Sequence, residues 1–250
     1  MALSGIAFAC ISGGVLLGLL LRRTLPGHHL SGDAKDVVRL GTGLIGTIAA
    51  LVLGLLIASA KSSFDTQSAQ IKQMTAQIIL IDQLLAQYGP EADTTRKLMR
   101  PVIAQLADRI WRENAAGSAR PAPFESSSTG EAFYQKLQQL VPKDDAQRSN
   151  KDRAIQASTE LAQTRLLLFA QSDNSIPTPF LVVLVFWLAI IFASFSLFAE
   201  LNPVVIGSLL LFALSAAGAI YLILELSQPF AGLMQISSLP LREALAPLAR

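Results

Sequence analysis

Residues 3–21 contain no charged side chain, and three further segments, 37–60, 179–199 and 203–226, are nearly as apolar. A hydrocarbon core of about 30 Å is crossed by roughly 20 such residues in a helix, so each run has the length of a membrane span. This feature constrains the chain more than any other, because backbone crossing lipid must satisfy its own hydrogen bonds and therefore folds as helix. Only 15% of the 250 residues are charged and 52% are hydrophobic, against the about 25% charged residues of a soluble domain. The expected fold class is an all-α membrane protein. The first span is read as retained rather than as a signal peptide, since Arg22 and Arg23 follow the apolar run instead of preceding it. Only Glu200, Leu201 and Asn202 separate the third and fourth spans, which implies a tight helical hairpin.

Residues 61–178 differ in kind. They hold fourteen of the twenty Lys and Arg and thirteen of the eighteen Asp and Glu. Their apolar residues recur at helical spacing: Phe64, Ile71, Met74, Ile78, Ile81, Leu85 and Tyr88 form one stripe. Gly89-Pro90 ends that helix. A second helix is predicted over 91–113 with Leu98, Val102, Leu106 and Ile110 inward. A loop follows over 115–130, then a short helix over 130–141 with Phe133, Leu137 and Leu140 inward. A last helix is predicted over 145–171 with Ile155, Leu161, Leu166 and Phe169 inward. The domain plan is a first helix pair in 1–60, a soluble helical bundle in 61–178, a second pair in 179–226 and a C-terminal tail in 227–250. No breaker lies between Ala60 and Phe64, so a single helix is expected over 37–88, about 78 Å long at 1.5 Å per residue.

Four spans place both termini and the bundle on one side. Arg22, Arg23 and Lys35 flank the spans on the other side, against Lys61, Lys72, Arg165, Arg242 and Arg250 on the bundle side. The reading takes the bundle and both termini as cytoplasmic.

Function has few polar signals. His28 and His29 are the only histidines, and adjacent residues make a poor metal pair; no metal site and no cofactor is expected. No phosphate loop, nucleophile elbow or zinc-protease motif is present, so the chain is read as not an enzyme. The net charge of +2 gives no field for nucleic acid. Cys10 cannot form a disulfide within the chain and is read as a small packing residue. Asp33, Asp36, Asp144 and Asp145 fit helix N-termini. Arg39, Glu200 and Glu225 sit at span ends, and no carboxylate lies at mid-membrane to carry protons. The second span carries small residues every fourth position, Thr42, Gly46, Ala50, Gly54, Ala58 and Ser62. The first carries Gly5, Ala9 and Gly13 and also Gly14 and Gly18. Small residues allow close helix approach in lipid. In the second span they serve either helix packing or, repeated around an oligomer, the lining of a pore.

Two segments carry a resemblance. Residues 44–65, ending Ala60-Lys61-Ser62-Ser63-Phe64-Asp65, resemble the second span and its exit in bestrophin-like proteins. Glu225-Leu226-Ser227-Gln228-Pro229-Phe230-Ala231-Gly232 resembles the Pro-Phe-Gly segment after their last span. The chain is similar to the bacterial bestrophin-like domain family. The resemblance implies paired spans at both ends with a helical domain between, a homo-oligomer that is pentameric in bestrophins, and passage of small anions along the second spans. Calcium control is not implied, because Leu233, Met234, Gln235 and Ile236 stand where the calcium clasp would lie and are not hard-cation ligands. The alternative reading is a non-conducting membrane scaffold or sensor whose helical domain binds a cytoplasmic partner.

Overall fold

The computed structural model describes residues 2–25, 32–113, 128–172, 178–199 and 202–244. The helices are α1 (Ala2–Thr24), α2 (Gly32–Tyr88), α3 (Asp93–Asp108), α4 (Ser128–Gln139), α5 (Asp145–Ser172), α6 (Thr178–Phe198), α7 (Pro203–Leu226) and α8 (Leu239–Glu243). A short 3₁₀ turn, Pro90–Ala92, precedes α3, and a π-helical turn, Arg109–Glu113, follows it. No strand occurs among the described residues. α1, α2, α6 and α7 are each long and apolar enough to cross a membrane. The expected continuous helix through Ala60 is present as one 57-residue element. His28 and His29, Glu200 and Leu201, Arg250 and most of the expected loop at 115–130 lie outside the described residues.

The chain divides into two compact units. The first comprises Met1–Ser63 and Ser175–Ser227, the second Phe64–Asn174 and Gln228–Arg250.

In the first unit α1 packs chiefly along α6 and also along α7. Ala7, Ile11 and Val15 form its buried stripe, at i, i+4 and i+8, while Leu184, Ile191, Phe192 and Ser196 are buried on α6. Contact is closest at Gly14 and Gly18, whose Cα atoms lie against the backbone of Ala189 and Ala193. Here the missing Cβ is what allows the approach. The Asn202 side chain caps α7, accepting a hydrogen bond from the Val204 N–H at 3.1 Å. Phe180, Phe186, Phe195, Leu211, Phe212 and Leu214 remain exposed. In water they would drive aggregation, but in lipid an exposed apolar side chain is already solvated. Cys10 is exposed rather than packed. It falls outside the stripe of Ala7, Ile11 and Val15, and an apolar neighbourhood in sequence does not decide which way a span residue faces.

In the second unit the C-terminal part of α2 buries Ile71, Met74, Ile78, Ile81, Leu85 and Tyr88 as the spacing predicts. Gly89 stops the helix at φ +113°, a conformation that side chains with a Cβ rarely adopt, and its carbonyl accepts from the Ala92 N–H. The buried face of α3 is shifted from expectation. Met99, Ile103, Leu106 and Ala107 are buried, followed by Ile110 in the π-helical turn, whereas Leu98 and Val102 are only partly so. The flexible Met99 fits where Leu98 was expected. On α5 the centre is made by Ala154, Ala157 and Leu168, and Leu166 is exposed. Both alanines are almost fully buried in the core cluster, so α5 meets its neighbours there through small side chains.

Polar groups lock the ends of these helices. Asp144 caps α5 by accepting from the Gln147 N–H at 2.7 Å. Gln147 Nε2 donates to the Tyr88 carbonyl at the end of α2. Lys151 Nζ donates to the Gln138 and Leu140 carbonyls, each at 2.7 Å, placing a cation where the end of α4 leaves carbonyls unpaired. Arg96 grips the carboxylate of Asp82 through two nitrogens, joining α3 to α2. That contact raises the Arg96 pKa above its ordinary value.

Candidate functional site

Two constellations follow from the residues singled out by sequence. The first lies on the span portion of α2. A step of four residues turns about 400° on a helix of 3.6 residues per turn, so a strict four-residue ribbon winds about 40° per step. The burial along α2 follows that winding. Thr42 is buried, Gly46 is half-buried with Ile191 Cδ1 4.0 Å from where its Cβ would be, and Ala50, Gly54 and Ala58 are exposed. A Cβ on Gly54 would meet open space. The buried positions of this span, Thr42, Ala49, Leu56 and Ala60, keep mostly to a spacing of seven. That spacing stays on one side of a helix, whereas the ribbon leaves it. Leu40, Leu44, Leu51 and Leu55 make the most exposed apolar face. Small residues therefore serve two uses in the first unit. Gly14 and Gly18 of α1 permit a backbone contact, while Ala50, Gly54 and Ala58 are exposed among the described residues, with nothing within 4 Å of a Cβ on Gly54.

The second constellation lies within the second unit and gathers family-motif positions distant in sequence. Phe64 packs against an apolar cluster made by Ile71, Met74, Leu106, Ile110, Leu168, Phe230 and Ile236. Phe230 is 5% exposed. Its ring meets the Trp111 ring edge-on, with centroids 5.7 Å apart and planes at 83°. Trp111 Nε1 donates to the Ile236 carbonyl at 2.9 Å. The segment that brings Phe230 there is a closed loop. The Ile236 N–H donates to the Pro229 carbonyl at 2.7 Å, the Ala231 N–H to the Gln228 carbonyl at 3.1 Å, and Gly232 turns the chain at φ +90°. Proline, phenylalanine and glycine thus have separate tasks: a fixed φ before the turn, an apolar anchor, and a left-handed residue. Asp65 is exposed on α2, and Glu225 is partly exposed in the last turn of α7. The structure brings Phe64, Pro229, Phe230 and Gly232 to one loop and its core. Asp65 and Glu225 stand outside that core. Trp111 and Ile236, which complete the loop, were missed by sequence reasoning; a lone tryptophan beside a charged helix end gave no periodic signal.

Among the described residues no three His, Cys, Asp or Glu side chains gather as a metal site. After Gly232, Leu233, Met234 and Gln235 are exposed and Ile236 turns into the core.

Among the described residues, four helices long and apolar enough to cross a bilayer place the chain in the multi-span class of membrane proteins. The chain is a member of the bestrophin-like family: the pattern of the Bestrophin-like domain matches residues 9–241. Its fold is similar to two solved structures. A crystal structure of a point variant of a membrane protein superposes with a TM-score of 0.65 at 12% identity, over 97% of this chain and 95% of that one. A bacterial bestrophin homolog from Klebsiella pneumoniae, also a point variant, superposes with a TM-score of 0.62 at 14% identity, over 95% and 96% of the two chains. No protein of curated function matches the sequence.

Proposed function

We propose that the protein is an oligomeric channel of the bacterial inner membrane that passes small anions along an axis surrounded by copies of α2. In this reading residues 61–178 form a soluble, cytoplasmic helical domain inserted between the second and third spans, with both termini on the same side. The count of five subunits comes from the family alone. The observation that carries the reading is the fate of the small residues on α2. Ala50, Gly54 and Ala58 lie exposed with open space at Gly54, while the close helix contact of the same unit is made by other glycines. A ring of such faces leaves room at its centre, and a passive pore can be lined by small and apolar groups. The nearest cations on α2 are Lys35 and Arg39 at one end of the span and Lys61 at the other. Anion preference then arises at the ends of the path rather than along it.

The test is chloride flux in liposomes carrying purified protein, a Gly54→Phe variant, or no protein. Flux above empty vesicles, abolished in a variant that assembles normally, supports the pore. Correctly assembled protein that passes no anion at any voltage defeats it and leaves the scaffold reading, in which the helical domain binds a cytoplasmic partner.

A further inference from the structure

The second unit contains a cavity of about 550 Å³ between α2, α3, α4 and α5, within the roughly 300–1,000 Å³ of small-molecule sites. Its walls are mainly apolar: Ile81, Met99, Ile103, Phe133 and Leu161 contribute. Its floor is made by buried core residues and its rim by the exposed Gln105, Gln135, Thr159 and Ala162, so it opens to the surface as a groove that a small molecule can enter. Two guanidiniums, Arg109 and Arg165, also line it, against the single carboxylate of Glu131. Arg165 Nε is buried and has no hydrogen-bond partner among the described residues. Burial first, and then the charge of Arg109, push the Arg165 pKa below its ordinary value, so the two cations share a neighbourhood and oppose each other there. Arg109 opens the π-helical turn that ends α3. Such single turns recur at functional sites because they re-aim side chains. A buried donor without an acceptor, repelled by a second cation, is relieved by an anion. The remainder of the lining is mainly apolar and suits an apolar body.

We infer that this cavity binds a single-headed apolar carboxylate, with its carboxylate on Arg165 and Arg109 and its hydrocarbon between α2, α3 and α4. The site lies within the second unit and is independent of any pore. Its chemistry discriminates by charge as well as by shape. A neutral molecule of the same body gains the apolar contacts and leaves Arg165 Nε unpaired. A cation of the same body meets two like charges.

The experiment is hydrogen–deuterium exchange on the full chain in lipid nanodiscs, with decanoate as probe and decanol at matched free concentration as its neutral counterpart. Decanoate should protect 99–109, 130–135 and 158–165, with half-saturation at least about ten-fold below that of decanol, the size of one charge-assisted hydrogen bond. Arg165→Gln should remove that advantage. Should Arg165→Gln raise exchange throughout the unit without probe, Ala162→Phe decides instead. Ala162 also lines the cavity, and its replacement fills the space without touching the charges. Decanoate protection lost from a normally folded Ala162→Phe protein supports the site; protection retained there overturns it. Equal protection by decanoate and decanol, protection undiminished in a folded Arg165→Gln protein, or none in the wild type also overturns it.

Discussion

Replacing Gly14 or Gly18 by alanine tests the closest contact in the first unit. At Gly14 the new Cβ falls within 3.0 Å of the Ala189 Cα and carbonyl carbon and nearer still to its oxygen. At Gly18 it meets the Ala193 carbonyl and the Ser196 hydroxyl in the same way. Carbon atoms pack at about 3.5–4.0 Å, so α1 must retreat from α6 by roughly 0.5–1 Å. A gap of that size forfeits a quarter to a half of each dispersion well, and each well is worth about 0.1–0.2 kcal/mol. Over roughly 20–30 atom pairs along the seam the loss is about 0.5–3 kcal/mol, in line with other overpacked cores. Alanine's better helix propensity returns at most about 1 kcal/mol and does so in all four variants, so Gly14→Ala and Gly18→Ala should lie about 0.5–3 kcal/mol below the two controls. Gly5→Ala and Gly13→Ala on the same helix meet nothing within 4 Å and should be neutral or slightly stabilising. The assay is reversible unfolding of the full chain from mixed micelles with SDS, comparing the four variants. If Gly14→Ala and Gly18→Ala lie within about 0.5 kcal/mol of the two controls, close approach is not what these glycines provide.

Two substitutions in the second unit, Tyr88→Phe and Phe230→Ala, have opposite expected effects. Tyr88 is 2% exposed and its hydroxyl has no partner among the described residues, so Tyr88→Phe should be neutral to about 1 kcal/mol stabilising at pH 7, contrary to the usual loss in a core. Burial, and then the charge of Glu91, raise the Tyr88 pKa above 10.0. The folded state keeps a proton that the unfolded state sheds, so wild-type stability should fall as pH rises past about 10, and thermal melts between pH 8 and 11 should show a shallower fall in Tyr88→Phe; equal slopes would contradict the assignment. Phe230→Ala empties a site lined by Ile71, Leu106, Ile110 and Leu168 and removes the edge contact with Trp111, so it should cost about 3–5 kcal/mol and raise hydrogen exchange over 99–113; a loss under about 1 kcal/mol would show that the loop is not an anchor.

The four bilayer-length helices and the stripe from Ile71 to Tyr88 were legible because each is a repeated signal: length without charge, and spacing of three and four. What escaped was set by neighbours rather than by periodicity. On α3 the stripe 98-102-106-110 and the stripe 99-103-106-110 both fit a helix, and only the partners across the core choose the second. On α5 the alanines at 154 and 157 carry no hydropathy signal, yet their small size makes them the contact. Glycine spacing was legible on both α1 and α2, but its use was not. That depends on whether a backbone lies opposite, as Ala189 does at Gly14 and as nothing does at Gly54.

The motif residues separate two properties that travel together in a family name. Phe64, Pro229, Phe230 and Gly232 are accounted for by physical tasks inside one unit: a half-buried ring on an apolar cluster, a fixed φ, a buried ring against Trp111, and a left-handed turn closed by the Ile236 N–H. None of these tasks involves an ion. The positions after the turn, where a cation site would need oxygen ligands, carry Leu233 and Met234 instead. Membership in the family then carries the architecture with it, and any conduction must be argued from α2, where Ala50, Gly54 and Ala58 are exposed among the described residues.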